Sequence, residues 1–243
     1  METNLKLETK SPEPEKIKSM FARVAKKYDR ANNYLSFWIH HLWRKKLVNL
    51  SQVKPGQKVL DCATGTGDLA FEFLNKVGSQ GQVIGTDFCP EMLEYALLKS
   101  KNTKLPIQFQ VADVLNLPFE DHTFDFTSIS FGIRNVRDPI KALQEMARTT
   151  RPGGKVLVLE FGQVQWPVFH EVYDFYSRRI LPQVGGLITG DKEAYKYLQN
   201  SSAQFPCRDE FLKLMDQSQA FDQTQYIPLS GGIAYIYQGR VKA

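Results

Sequence analysis

The sequence predicts an α/β fold: a doubly wound, mostly parallel, seven-stranded sheet with helices on both sides. Three observations predict it. Apolar runs of strand length alternate with amphipathic runs of helix length from Lys58 to Phe161. The first of these runs stops at Asp61 and breaks into Ala63-Thr64-Gly65-Thr66-Gly67, a strand-to-helix turn of the kind doubly wound sheets place under a ligand. Asp61, Asp87, Asp113 and Ser130 close successive strands, so the sheet should gather all four at its carboxyl edge.

Taken in order, residues 1–15 are polar, carry two prolines and show no periodicity, which predicts a disordered tail. Everything from 16 to 243 reads as one domain. Ile17, Met20, Phe21 and Val24 fall at helical spacing and open a helical segment over 16–52. Its middle, from Tyr28 to Ser36 and on to Arg44, is dense in aromatic and hydrogen-bonding side chains. Two readings stay open: a cap that keeps water from an apolar substrate, or a helix pair packed on the flank of the sheet.

Lys58 to Leu60 end a buried strand, and Leu69 to Phe73 give the first apolar face of the next helix. Gly65 and Gly67 between them allow positive φ and close approach to a ligand. Gln82 to Thr86 form a second strand, and Glu91 to Lys99 a helix with Met92, Leu93 and Ala96 inward. Ile107 to Val111 and Phe124 to Ser130 are the third and fourth strands. Asp138-Pro139 starts a helix with Ile140, Leu143 and Met146 on one face. Arg151 to Gly154 read as a turn delivering the strand Lys155 to Phe161.

A helical insertion follows over 162–205, with Trp166, Phe169, Tyr173, Phe175 and Tyr176 clustered ahead of Arg178 and Arg179. It is too aromatic for a linker. It suits an apolar tunnel or a lipid headgroup region, with the arginines at the phosphate level, or equally a lid helix over the core. Asp209 to Gln217 is a last amphipathic helix, and Phe221 to Tyr226 with Ile233 to Gln238 make a terminal hairpin joined by Pro228 to Gly232.

Composition bounds the chemistry. A chain of 243 residues, 42% hydrophobic and 23% charged, is an ordinary globular protein with one sizeable core. No run of 18 apolar residues predicts a spanning helix, and the acidic start lacks a signal core, so the expected location is cytoplasmic. Three widely spaced cysteines, Cys62, Cys89 and Cys207, imply neither a disulfide framework nor a metal site. The net charge of +5 is a modest bias that suits an anionic membrane face or nucleic acid, most of it solvated surface.

The Gly-rich turn alone is ambiguous, because Gly65-Thr66-Gly67-Asp68-Leu69-Ala70 also fits a loose dinucleotide pattern with Asp87 about 20 residues on. Charge separates the readings. A dinucleotide lays pyrophosphate on the helix N-terminus, where Asp61 and Asp68 would crowd it. Like charges about 4 Å apart repel by roughly 4 kcal/mol at an effective dielectric of 20. S-adenosyl-L-methionine brings an ammonium and a sulfonium instead, which those acids attract. Asp87 would accept its two ribose hydroxyls and Asp113 its adenine amino group, with Val114 offering a backbone N–H.

The chain resembles the ubiquinone/menaquinone biosynthesis C-methyltransferases, the UbiE-type family, from Met20 to its C-terminus. The residues that carry the likeness are Tyr28-Asp29 with Asn32, Leu35-Ser36-Phe37, His40 with Trp43, Asp61 to Asp68, Ile129 to Val136, and Leu159-Glu160-Phe161. Tyr173-Asp174, Tyr176-Ser177, Leu181-Pro182, Tyr195 and Tyr197-Leu198 extend it through the insertion. The resemblance implies a Rossmann-like class I methyltransferase fold, S-adenosylmethionine contacts at Thr66, Asp87, Asp113 with Val114, and Ser130, and methyl transfer to a ring carbon of a polyprenylated hydroquinone. It further implies an acceptor site in which Arg134 stabilises a phenolate, Asn135 positions a ring oxygen, and His40, Asp29 or Tyr28 serves as base. His40 is the best titrating base among them by ordinary pKa, while His122 and His170 have no partner in sequence. Peripheral membrane contact and a homodimer remain open, and no nucleic-acid partner is expected. One departure stands out: Trp38 occupies a position where the family usually has glycine, so a bulky ring would narrow the mouth of the site or touch the prenyl tail. Ala31 in place of the usual methionine is a smaller one.

Overall fold

The computed structural model describes residues 13–101 and 106–243, less the side chains of residues 167–169. β1 (Lys58–Cys62) sits mid-sheet among β2 (Gln82–Asp87), β3 (Ile107–Val111), β4 (Phe124–Ser130), β5 (Thr150–Phe161), β6 (Phe221–Leu229) and β7 (Ala234–Val241). Their order is β3-β2-β1-β4-β5-β7-β6. β1 to β5 run parallel, and β7 is antiparallel to both its neighbours. Parallel neighbours need crossovers. These are α4 (Asp68–Val77), α5 (Pro90–Ser100) and α6 (Pro139–Thr149), while α10 (Asp209–Gln217) leads into the final hairpin. The strand order reverses between β1 and β4, which opens a crevice at their carboxyl ends.

Alternation along each strand feeds two cores. Leu60 and Cys62 of β1 join Leu143 and Met146 of α6 and Phe211 and Met215 of α10 on one face. Val59 joins Phe73 and Leu74 of α4 on the other, with Leu47 and Val48 of α3 (Ile39–Ser51).

The N-terminal helices divide their work. α3 lies on the flank of the sheet, whereas α1 (Pro14–Val24) and α2 (Tyr28–Leu35) pack on the insertion, Met20, Val24, Ala31 and Leu35 meeting Ala194 and Tyr195 of α9 (Lys192–Gln204). Ahead of α9 come α7 (Pro167–Phe175), a π turn at Tyr176–Ile180 and α8 (Leu181–Thr189). The cap and flank readings therefore apply to different helices. Among the described residues no helix is long and apolar enough to cross a membrane.

Three boundaries differ from the sequence reading. The first twelve residues of the expected tail lie outside the described residues, but Pro14 and Glu15 already belong to α1, where proline suits the first turn. The turn expected at Arg151 to Gly154 is a bulge inside β5. Thr150 pairs with Phe124 and Lys155 with Phe126, so the intervening residues are looped out, Gly153 taking φ +73°. Pro228, expected in the hairpin loop, lies in β6, an edge strand that tolerates a missing N–H.

Candidate active site

The turn after β1 is built for close backbone approach. Gly65 has φ +58° and its Cα faces Met92, whose Cε would stand 3.3 Å from an added Cβ. Its N–H donates to Asp87 Oδ2 at 2.7 Å, and Cys89 N–H donates to Asp87 Oδ1 at 2.8 Å. These bonds tie the ends of β1 and β2 together and fix the carboxylate in place. Burial pushes the Asp87 carboxyl up to about 6 against the pull of those N–H groups.

Asp87 lines a cleft of about 900 Å³ with Gly65, Asp113, Val114, Ser130 and Asn135. Ser130 Oγ is buried there without a hydrogen-bond partner. Buried hydroxyls are rarely left so, and an adenosyl ligand rich in hydroxyl and amino groups fits a lining that offers an unmatched hydroxyl and a fixed carboxylate. Asp113 is exposed at the rim, its Oδ1 accepting from Leu115 N–H at 2.9 Å.

Beside it lies a larger cavity of about 1560 Å³. Phe21, Tyr28 and Phe131 line both spaces and form the wall between them. Behind that wall the larger cavity is mostly apolar, with Met20, Val24, Leu181, Tyr195 and Leu198 from the cap and insertion. Its polar lining includes His40, Arg44 and Arg134. Arg134 Nη1 donates to Glu160 Oε1 at 2.8 Å and to the Phe131 carbonyl at 2.6 Å, in a buried ion pair under the Phe161 ring. Burial pushes the Glu160 carboxyl up and Arg134 pulls it back. Asn135 faces the smaller cleft, and Tyr197 donates to its Oδ1 at 2.9 Å.

Several residues singled out from the sequence do other work. Asp61 lines neither space: it is buried, accepts from Thr64 Oγ1 at 2.6 Å and from Ser128 Oγ at 2.7 Å, and burial raises its pKa to about 6. Asp68 does not present a free charge to a ligand. Arg44 pairs with it at 3.0 Å and Lys99 at 2.7 Å, and these cations hold its carboxyl below the usual range although burial works the other way. Thr66 Oγ1 donates to Asp29 Oδ1 at 2.6 Å and accepts from Lys99 Nζ at 3.0 Å, which pins α2 to the turn from outside the cleft. Gly67 caps α4 with φ +86°, hard against Phe71 and Phe109.

His40 is the largest correction. Burial first, then the Arg44 charge, push its pKa down to about 3, so it is a neutral imidazole and a weak base rather than a group poised near neutrality. Tyr28 is pushed up by burial and stays protonated. Trp38 takes φ 60°, the left-handed conformation that favours glycine, which explains the family's usual residue. Its ring is half-exposed edge-on to Tyr34 and lines neither space, whereas Phe37 and Ile39 beside it line the larger cavity. The expected narrowing by Trp38 is therefore absent.

Sequence reading missed Lys99, which carries no signal beyond its place near the end of an amphipathic helix. Glu160 could have been found as Arg134's partner, because an acid inside the apolar run Val156 to Phe161 demands a buried cation.

A parallel sheet reversing at β1 and β4, a Gly-rich turn beneath an adenosyl-sized cleft and a second cavity across a thin wall define a class I S-adenosylmethionine-dependent methyltransferase. A SAM-dependent methyltransferase from Aquifex aeolicus shares the fold at TM-score 0.61 and 17% identity, over 82% of this chain and 89% of that one. The chain belongs to the ubiE/COQ5 methyltransferase family, whose profile matches residues 8–241. It is 63% identical over 232 residues to the ubiquinone/menaquinone biosynthesis C-methyltransferase UbiE of Bdellovibrio bacteriovorus, covering 96% of this chain and 98% of that protein. The UbiE of Haemophilus ducreyi is 43% identical over 92% of this chain and 86% of its own length. S-adenosylmethionine is the cofactor, which removes the nicotinamide reading of the turn.

Proposed function

We propose that this chain methylates a ring carbon of a polyprenylated hydroquinone, either a demethylmenaquinol or a 2-polyprenyl-6-methoxy-1,4-benzoquinol. The observation that carries the reading is the pair of spaces divided by Phe21, Tyr28 and Phe131, the larger one roomy and mostly apolar. Such a cavity suits a ring with the start of a prenyl chain and offers little to a small polar acceptor.

When bound, S-adenosylmethionine supplies an electrophilic methyl group on sulfur to the acceptor carbon. Asp87 would accept from the ribose hydroxyls, Ser130 Oγ would find its missing partner, and Asp113 with Val114 would hold the adenine edge. Gly65 gives the ligand room against the turn. On the acceptor side, Arg134 and Arg44 line the cavity as cations and lower the cost of a phenolate, the form of the ring that is most nucleophilic at carbon. With His40 weak as a base, the phenolic proton leaves to water and the arginines stabilise the charge left behind. Tyr28 fixes the ring at the dividing wall, whereas Asn135, expected to position a ring oxygen, lines the cofactor cleft instead.

The rim supports delivery from a lipid phase. Phe37 and Val172 line the larger cavity and are exposed at 70% and 62%, and Phe175 beside them is exposed at 63%. Arg178 and Arg179 follow on the same segment. An apolar rim backed by cations suits peripheral contact with an anionic bilayer.

Turnover with methyl-labelled S-adenosylmethionine against short-tailed demethylated hydroquinones of both ring types tests the reading. Label in at least one ring is expected. Label in neither, with transfer to a small polar acceptor, would refute it.

A further inference from the structure

The larger cavity holds an imidazole whose hydrogen-bonding face is set by its neighbours. Ser36 Oγ donates its single proton to the Asn32 carbonyl at 2.7 Å, a back-bond within the last turn of α2. His40 Nδ1 also bonds Ser36 Oγ. With the serine proton committed, the ring nitrogen has to be the donor, so the neutral ring carries its proton on Nδ1 and its lone pair on Nε2. Among the described residues no hydrogen bond reaches Nε2. The ring lines the cavity in company with Tyr28, Arg44 and Arg134. The neighbouring Arg44 guanidinium and the burial of the ring both oppose a second proton.

We propose that His40 Nε2 reads the oxidation state of the acceptor ring, accepting a hydrogen bond from the phenolic O–H of a hydroquinone and turning away the carbonyl of the corresponding quinone. This deepens the reading above and rests on it. A hydroquinone offers a donor where a quinone offers only lone pairs, so an acceptor-only nitrogen bonds the first and opposes the second. Sites built to hydrogen-bond a hydroxyl reject analogues that lack it far better than apolar walls reject a change of size. The discrimination matters chemically, because the reduced ring is nucleophilic at carbon while the quinone is an electrophile that would occupy the cavity without reacting. Ser36 is then a positioning residue. Without its hydroxyl the ring is free to carry its proton on Nε2 and to donate to a quinone carbonyl.

The experiment is anaerobic steady-state kinetics with a short-tailed demethylated hydroquinone, adding the matching quinone as competitor, for the full chain and three variants. In the unaltered chain the quinone Ki is expected to exceed the hydroquinone KM by about tenfold or more, the worth of one hydrogen bond gained against one opposed. Ser36→Ala should collapse that ratio by about tenfold, mainly through tighter quinone binding. Ser36→Thr keeps the hydroxyl and should keep the ratio. His40→Phe should bring the ratio near unity with S-adenosylmethionine affinity, followed by calorimetry, retained. Should His40→Phe fail to fold, the Ser36→Ala and Ser36→Thr pair decides, since a purely structural serine would not tighten quinone binding. Ratios equal to that of the unaltered chain in Ser36→Ala, while the unaltered chain still methylates the hydroquinone, overturn the role of His40 and leave the proposed function standing. Failure of the unaltered chain to methylate any hydroquinone overturns both.

Discussion

Replacing Arg134 by Ala strands a carboxylate. In the intact chain Glu160 is almost fully buried and receives Arg134 Nη1 at 2.8 Å, Phe161 N–H at 2.8 Å and a long contact from Arg134 N–H at 3.4 Å. Without the guanidinium only backbone donors remain, and the carboxyl escapes its burial by taking up a proton. Protonation in the folded variant, against an ordinary carboxyl pKa of about 4.3 in the unfolded chain, caps the cost at the free energy of taking up that proton, roughly 3 to 4 kcal/mol at pH 7 and about 1 kcal/mol at pH 5. The sign follows from proton counts. The folded variant binds the proton that the unfolded chain has released, so its stability falls as pH rises through that window. Urea unfolding of R134A, E160Q and the double variant at both pH values measures this. The double variant carries no stranded charge, so it should recover most of the deficit and show little dependence on pH. A deficit in R134A below about 1 kcal/mol at pH 7, or one equal at the two pH values, would refute the reasoning. The same proteins separate fold from chemistry: if Arg134 stabilises a phenolate, the stable double variant should still turn over at least a hundredfold more slowly than the unaltered chain.

Two further outcomes are expected. Since burial raises Asp87 to about 6, and its ionised form attracts a cationic, hydroxyl-bearing cofactor, S-adenosylmethionine affinity should be full above pH 6 and fall by up to about tenfold per unit below it. Asp87→Asn should bind more weakly at pH 8 and lose that slope in calorimetry, an unchanged slope assigning it to another group. The same shift acts on the empty protein in the opposite direction, the folded state gaining stability relative to the unfolded chain as pH falls from about 6 towards 4. Trp38→Gly relieves a left-handed residue, worth about 1 kcal/mol. It also forfeits the Tyr34 contact and adds backbone entropy, each about 0.5 to 1 kcal/mol, so thermal stability should hardly move. Sedimentation with anionic vesicles should meanwhile fall several-fold, and undiminished binding would remove Trp38 from any lipid contact.

The sheet was legible because strand and helix periods alternate cleanly and because four of the five parallel strands run into a polar residue, Asp61, Asp87, Asp113 or Ser130, at their carboxyl ends. The site was legible in kind for a reason only half sound. In sequence Asp61 and Asp68 look like acids facing a cation, yet one is locked between two hydroxyls and the other between Arg44 and Lys99. Sequence places a charge but not its partner, and these partners come from α3 and α5, 24 and 31 residues away from Asp68. His40 failed for a related cause: its ordinary pKa makes it a base, and only burial beside Arg44 unmakes it. The bulge at Gly153 was hidden too, since a Pro-Gly-Gly run reads as a turn whether the strand stops or merely kinks.

The distribution of charge shows how a site with so many cations still admits a cationic methyl donor. Arg44 and Arg134 line the larger cavity and Lys99 stands behind the Gly-rich turn; these three are paired, respectively with Asp68, with Glu160, and with Asp29 and Asp68. Three cations matched by three acids cancel beyond a few ångströms, because paired charges present only a dipole to their surroundings. Asp87 is the half-buried acid on the wall of the cleft, which Lys18 and Arg137 also line, and among the described residues its oxygens are held by backbone N–H groups. Preference for a positive ligand therefore rests on Asp87 rather than on the pair of acids flanking the glycines. The matched arginines remain available to the other cavity, where a phenolate appears only during reaction. Unpairing Lys99 shows the difference: Lys99→Met would leave Asp29 and Asp68 short of a partner, which should loosen α2 from Thr66 and expose Tyr28 at the dividing wall.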